Sequence, residues 1–470
     1  MRKTKIICTL GPASQDSEII RQMIEAGTDV FRLNMSHAKH EWVRDIVPRV
    51  RAIAQQLERD VALLLDTQGP AIRTGVLKRD LPLAVGDILE ITVRGAKSTA
   101  PNSITVNYDD LIDDVSVGDT VLVDNGVLQL RVVEKKKNRI RCTVLTAGRL
   151  GSRRHINLPG VHVNLPALTE KDHADVKLGA ELGVDFVALS FARKAEDLEV
   201  LRRYLKKLGS SAAVVAKIED QGAVRQIDDM IRASDIILVA RGDLGIECPM
   251  EELPIIQRRI VKRCLRFGKP VVVATHMLES MVNNPVPTRA EITDVANAVF
   301  EQADAIMLTG ETTSGRYPVE CVKVLNRVAL RIERSGGAGY GEEALLEDAR
   351  QKTVAAAVEL ADSLARAKIL VFTRHGTMAR YVSNMRPEHA PIFAVTSTER
   401  VYRQLAICWG TFPVRIDFTD EPNATIEAAI KYLRSEKLIA PNDNLVIISD
   451  VRAGDALVDC VQLRTVGKRG

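Results

Sequence analysis

Eight short apolar, β-prone runs, KIICTL, DVFRLN, VALLLD, FVALS, AVVAKIE, DIILVA, VVVAT and AIML, recur between residues 5 and 308 with stretches of helical period between them. Apolar runs of this kind suit strands buried on both faces, and their alternation with helices is the pattern of βα units around a parallel sheet. Eight of them predict a closed (β/α)8 barrel of the TIM type. Several runs end on polar residues: Asn34, Asp66, Ser190, Lys217 with Glu219, and Thr275. In a parallel barrel these ends share one rim, so side chains far apart in sequence can converge there.

More residues separate the third and fourth runs than a barrel helix needs. From about Pro70 to Asn164 the chain changes to DILEITV, SITVNY, DTVLVDNGVLQLRVVE and IRCTVLT, with turn signals at Val85-Gly86-Asp87, Val117-Gly118-Asp119 and Asp124-Asn125-Gly126. This segment reads as a small inserted β-barrel placed to act as a lid over the rim. After the eighth run, RSGGAGYGEE (334–343) reads as a linker, and KILVFT, PIFAVT, FPVRI, NLVIIS and CVQLRT predict a C-terminal α/β unit with an open sheet. The expected division is a barrel from 1–69 and 165–335, an insertion at 70–164 and a C-terminal α/β domain at 345–470.

A chain of 470 residues with 46% hydrophobic and 27% charged residues has ample core for several domains. Its 65 basic and 61 acidic residues leave a net charge of +4, suited to small anionic ligands but without the basic footprint of a nucleic-acid binder; the 4% of aromatics also speak against a base-stacking surface. The seven scattered cysteines show no CxxC spacing, which predicts reduced thiols and a cytoplasmic protein. The first apolar run ends at Gly11 and Pro12, too short for a secretory signal, and no segment reaches the length of a membrane span.

Lys217 and Glu219 are two apart at a strand end and therefore leave the same face into the barrel mouth. By spacing alone the pair reads equally as a structural ion pair. In ARGDLGIE, Gly242 and Gly245 bracket Asp243, which can join Glu219 in holding Mg²⁺, a cation that takes a few carboxylates and keeps positions for water and substrate oxygens. A tight turn with an Asx cap explains the same tetrapeptide. Arg32 offers a planar fork for phosphate, Asn34 and Ser36 supply neutral oxygens, and His37 stands next to them. Asp66 and Thr67 close the third run, and Arg73 stands at the entrance to the insertion. Thr275 in isolation reads as a helix cap.

Taken together and in order, KIICTLGPAS, RLNMSHAKHE, LLLDTQGPAIRTG, LPG, LTEKD, FVALSFARK, AKIEDQGA, VARGDLGIE, ATHMLESM, PTRAEITDVANAV and DAIMLTGETTSGRYP resemble the motifs of the pyruvate kinase family over nearly the whole chain. The resemblance implies phosphoryl transfer from phosphoenolpyruvate to ADP, giving pyruvate and ATP at the end of glycolysis, in a homotetramer. It implies that Lys217 neutralises the migrating phosphoryl group and the enolate, that Glu219 and Asp243 ligate Mg²⁺ or Mn²⁺, and that Gly242 and its neighbouring amides hold the substrate carboxylate. It also places Arg32 on the substrate phosphate, Thr275 on the proton route, Asn34, His37, Arg73 and Lys194 near the nucleotide, and Asn34, Ser36, Asp66 and Thr67 at a K⁺ site. A metal-dependent lyase or aldolase and a silent metabolite sensor are the competing readings; the Lys217 motif, the insertion and the presence of Thr275 disfavour them.

Several positions depart from the family pattern. Ala71 stands where potassium-dependent members carry glutamate and independent ones lysine, so the sequence leaves the need for K⁺ open. His276, Met35 and Ala38 replace a common glutamine, phenylalanine and glycine. Thr377 and Met378 occupy a phosphate-loop position, and the final effector loop reads SDVRAGDALVDC, where Asp455 and Asp459 would repel a second phosphate. The expectation is no activation by fructose 1,6-bisphosphate, with a monophosphate near Thr373, Arg374 and His375 as the remaining effector option.

Overall fold

The computed structural model describes residues 1–59, 61–453 and 456–467. The eight runs form strands β1 (Lys5–Thr9), β2 (Val30–Asn34), β3 (Ala62–Asp66), β4 (Phe186–Leu189), β5 (Ala213–Ile218), β6 (Ile236–Ala240), β7 (Val271–Ala274) and β8 (Ala305–Leu308), all parallel, with β8 closing onto β1. Their residues alternate between two cores. Ile6, Leu33, Leu65, Val187 and Val239 pack outward on the helices, while Val30, Leu64, Phe186, Ala188 and Val215 fill the barrel. The period of two that buries those inward residues carries on to the strand ends, so Arg32, Asp66, Ser190 and Lys217 belong to the inward-facing series. This parity is what converts a hydrophobic pattern into a polar site.

Residues 81–157 form a six-stranded sheet, in the order Ile156–Asn157, Thr120–Val123, Leu128–Lys136, Arg139–Val144, Ile88–Thr92, Ser103–Thr105, and a separate ribbon pairing Leu81–Leu83 with Gly148–Leu150. Both share one core that includes Leu83, Leu89, Val121 and Leu150. The ladder does not run round into a hydrogen-bonded ring: Ile156–Asn157 and Ser103–Thr105 are its two edges, so the small barrel expected here is an open sheet and a ribbon wrapped on a common core.

The C-terminal sheet has five strands, β9 (Ala367–Phe372), β10 (Ile392–Thr396), β11 (Thr411–Arg415), β12 (Asn444–Ala453) and β13 (Ala456–Thr465), in the order β11-β10-β9-β12-β13, with only the β12-β13 pair antiparallel. This unit seals the barrel at the N-terminal ends of its strands. Residues from its helices join the barrel interior in one apolar cluster. Polar ties reinforce the seam: Arg386 to Asp304 at 2.6 Å, the Trp409 N–H to Asp304 at 3.0 Å, Arg403 to Asp185 at 2.7 Å and Lys5 to the Thr411 carbonyl at 2.6 Å. The opposite rim is thereby left for chemistry.

The seven cysteines are free thiols, and all but Cys460 are buried. Among the described residues no helix is long and apolar enough to cross a membrane.

Candidate functional site

At the rim, Lys217 Nζ lies 2.8 Å from Glu219 Oε1, 2.8 Å from Ser190 Oγ and 3.3 Å from Asp66 Oδ1. The other Asp66 oxygen takes Arg32 through Nε at 2.7 Å and Nη2 at 2.6 Å, and Arg32 Nη1 donates to Thr9 Oγ1 at 3.1 Å. Asp66 is wholly buried, so it is a fixed negative post between two cations. Burial alone would raise its carboxyl; Lys217 and Arg32 outweigh that and hold it below the usual range. Burial likewise pushes Lys217 down, but Asp66 and Glu219 more than compensate and keep it firmly cationic.

Glu219 is pushed upward by burial, opposed by Lys217 and reinforced by the Asp243 carboxylate. Its second oxygen accepts the Phe191 N–H at 2.6 Å. Two mutually repelling carboxylates beside a water-accessible pocket form a donor set that fits a hard divalent cation.

The pocket, about 420 Å³, is lined by Arg32, Asn34, Ser36, His37, Ala71, Arg73, Lys217, Glu219 and Asp243, so most of the expected residues do meet. Asp66 and Thr67 lie behind its wall. The Thr67 hydroxyl donates to the Ala188 carbonyl at 3.0 Å and accepts from the Ser190 N–H at 3.1 Å, and Asn34 Oδ1 accepts from the Ser36 N–H at 3.2 Å. Lys194 is apart, lining an adjoining crevice of about 220 Å³ that touches the main pocket through His155, Phe191 and Glu219.

Gly242 and Asp243 fall in the first turn of the helix Arg241–Glu247, which follows β6 directly. The Gly242 N–H donates to Thr275 Oγ1 at 2.7 Å, and that hydroxyl donates to the Ala274 carbonyl at 2.6 Å. Thr275 and His276 both have positive φ, 69° and 54°, a conformation that costs roughly 1–3 kcal/mol for a residue with a side chain and needs a brace. Buried Arg241 supplies it, donating to the carbonyls of Thr275 (2.6 Å) and Ala274 (3.2 Å) while Asp294 pairs with it at 2.7 Å. Asp294 belongs to PTRAEITDVANAV, whose Thr288 and Glu291 form a capping box at the start of Arg289–Phe300. Thr275 thus caps no helix of its own segment; its hydroxyl instead receives a first-turn amide of Arg241–Glu247.

Ser190, expected at the rim as a polar strand end, lines the pocket. Other lining residues escaped the sequence reading: Gln68 and Phe191, and Asp124, Asn125, Arg153, Arg154 and His155 from the insertion. Asp124 and Asn125 were legible only as a turn, and they are one, with φ of 55° and 57°. The basic triplet Arg153–His155 was the available signal. At the hinge, Asp172 accepts from the backbone N–H of Gln68 (3.1 Å) and Gly69 (3.0 Å), and Gly69 sits at φ 72° where a Cβ would lie 2.8 Å from Phe191 and 2.9 Å from Ser190.

A second cavity of about 640 Å³ lies in the C-terminal unit, lined by Thr373, Arg374, His375, Thr377, Met378, Arg350, Asp450 and Asp459. Arg350 Nε bonds Asp459 at 3.0 Å, and burial together with Asp459 raises Asp450. Asp455 lies outside the described residues.

A closed parallel barrel with cations, two carboxylates and inserted-domain basic residues gathered over one rim is the architecture of an enzyme for an anionic substrate, with a carboxylate pair that fits a divalent cation. Models of the pyruvate kinase barrel domain and the pyruvate kinase alpha/beta domain match residues 1–322 and 351–460. The chain is 42% identical over 465 residues to the pyruvate kinase of Geobacillus stearothermophilus, covering 97% of this chain and 78% of that protein. It is 40% identical over 453 residues to plastidial pyruvate kinase 3 of Arabidopsis thaliana, covering 95% and 78%. A crystal structure of a pyruvate kinase from Cryptosporidium parvum superposes with a TM-score of 0.94 at 34% identity, over 99% of this chain and 96% of that one. The chain belongs to the pyruvate kinase family. It is a phosphotransferase with pyruvate kinase activity, in a family that works with phosphoenolpyruvate, ADP and metal cations.

Proposed function

We propose that the reaction runs in the pocket around Lys217, Glu219 and Asp243, and that the observation carrying this reading is the Lys217 ammonium held between Asp66 and Glu219 at the open rim. Phosphoryl transfer is mostly positioning and charge stabilisation. Lys217 then neutralises the phosphoryl group in flight and the enolate oxygen left behind. Arg32 turns its fork to the substrate phosphate, and the Gly242 amide receives the carboxylate once Thr275 Oγ releases it. Thr275 lies on the path by which the enolate carbon gains its proton, giving pyruvate. His37, Arg73 and Asn34 face the nucleotide, with Lys194 reaching in from the adjoining crevice. Glu219 and Asp243 would hold Mg²⁺ or Mn²⁺, which when bound would supply Lewis-acid charge.

Asn34, Ser36, Asp66 and Thr67 form the K⁺ site in this reading. Asp66 already serves two cations, and the Ala71 methyl on the pocket wall adds no charge, so K⁺ would be held through the neutral oxygens and the need for it is what the assay with and without K⁺ decides. Residues 70–164 act as the lid on a barrel of 1–69 and 165–335, and 345–470 carry the effector cavity, where Asp450 and Asp459 disfavour a bisphosphate. The protein is a cytoplasmic homotetramer with no nucleic-acid or membrane partner. A lactate-dehydrogenase-coupled assay with ADP, phosphoenolpyruvate and Mg²⁺, run with K⁺ and with tetramethylammonium, is the test: turnover abolished in Lys217→Met and raised by K⁺ supports the site, and unchanged turnover in Lys217→Met overturns it.

A further inference from the structure

A cavity of about 470 Å³ opens at the seam between barrel and C-terminal unit, at the end of the barrel remote from the rim. One side is the helix Ala195–Lys207 and the loop that leads into β5; the other is the helices Thr377–Asn384 and Glu399–Gln404. Its charged lining is Arg202, Lys206, Arg380, Arg400 and Asp235, with His375 at one edge. Asp235 is already used: one of its oxygens accepts from Arg202 at 3.0 Å and from the Val214 N–H at 2.8 Å. Among the described residues no carboxylate lies within ion-pair distance of Lys206, Arg380 or Arg400, and the Arg400 guanidinium donates to the Ser211 carbonyl at 3.4 Å. The contrast with Arg403 on the same helix, which binds both Asp185 and Glu399, marks the cavity face as one left positive. Behind its floor Lys269 is held below the usual lysine range by burial, with Arg202 and Arg380 adding to the push against Asp235.

Cations left facing one another across a concavity repel until an anion fills it. Two guanidinium groups and an ammonium match phosphate oxygens in number and geometry. Ser210, whose hydroxyl oxygen accepts from the Ala212 N–H at 3.3 Å, keeps a proton to donate. The volume exceeds what phosphate itself needs and falls within the range of small-metabolite pockets. We propose that this seam is a binding site for a phosphorylated small molecule, held by Arg380, Arg400 and Lys206 and separate from both the catalytic pocket and the C-terminal cavity. It shares with the latter only His375. Such a ligand would tie the C-terminal helices to the foot of β5, the strand that ends in Lys217 and Ile218.

Titration calorimetry with inorganic phosphate and with glycerol 2-phosphate tests the site, using the full chain. In Arg380→Gln/Arg400→Gln one binding component should weaken by about tenfold or more, as loss of charge-assisted hydrogen bonds requires, while Arg374→Gln in the other cavity leaves it intact. Lys206→Glu, a change at an exposed rim position that spares the fold, should weaken the same component and carries the test if the double variant does not fold. Isotherms identical to the parent in Lys206→Glu or in the folded double variant overturn the proposal. So does phosphate binding that vanishes wholly in Arg32→Gln, since all of it then belongs to the substrate site.

Discussion

Lys217 and Asp66 illustrate how a site residue is made by its neighbours. Neither charge would be stable at such burial alone; together with Arg32 and Glu219 they form a network in which removing one member leaves the others uncompensated. Lys217→Met is therefore expected to lower kcat by about a thousandfold or more, the scale of losing a preorganised charge at the reacting oxygens, with circular dichroism unchanged. Arg241 acts at one remove. It touches no reacting atom but braces the positive-φ turn that presents Thr275. Arg241→Met should cut kcat by about tenfold with little change in KM, and Asp294→Asn should reproduce part of that loss, measured in the same coupled assay.

At the scale of elements, the contact between the insertion and the barrel is titratable. Asn157, on the edge strand Ile156–Asn157, donates to Glu247 at 2.9 Å, and burial raises Glu247 from 4.5 to about 7. A carboxyl whose folded pKa is raised binds its proton more tightly in the folded state, so the stability it contributes is full below pH 4.5 and is lost as pH rises through about 7. Glu247→Gln should flatten that part of the melting temperature against pH, with its largest gain over the parent at pH 8; a curve parallel to the parent's would refute the assignment. Asp172 links two elements in another way, capping the helix Glu170–Glu181 and holding the Gln68 and Gly69 amides at the entry to the insertion. Asp172→Ala should cost about 1–2 kcal/mol as a lost cap and more for the freed amides, measured by urea unfolding.

For the whole molecule, the seam beneath the barrel sets cooperativity. Asp304 and Arg386 are both nearly inaccessible, and Asp304 also holds the Trp409 and Val271 N–H groups. Arg386→Met leaves Asp304 buried without its cation, a change worth about 3–5 kcal/mol. The expected outcome is a urea transition split in two, the C-terminal unit melting first. Fructose 1,6-bisphosphate should leave the phosphoenolpyruvate saturation curve in place, because the cavity that would receive it carries Asp450 and Asp459; a clear leftward shift would reverse that reading.

The order of strands, the closed barrel and the inward parity of Arg32, Asp66, Lys217 and Glu219 were all legible in the sequence, because a period of two and a parallel sheet leave those side chains one place to go. The motif order added the chemistry. What the sequence could not express is contact between distant segments: Asp124, Asn125 and Arg153 brought over the rim by the insertion, Asp294 reaching Arg241 under Thr275, and Arg380 and Arg400, without a carboxylate partner among the described residues, lining the seam with Lys206. Local pattern decides which face a side chain leaves from. Only the packing of separate units decides what it then meets.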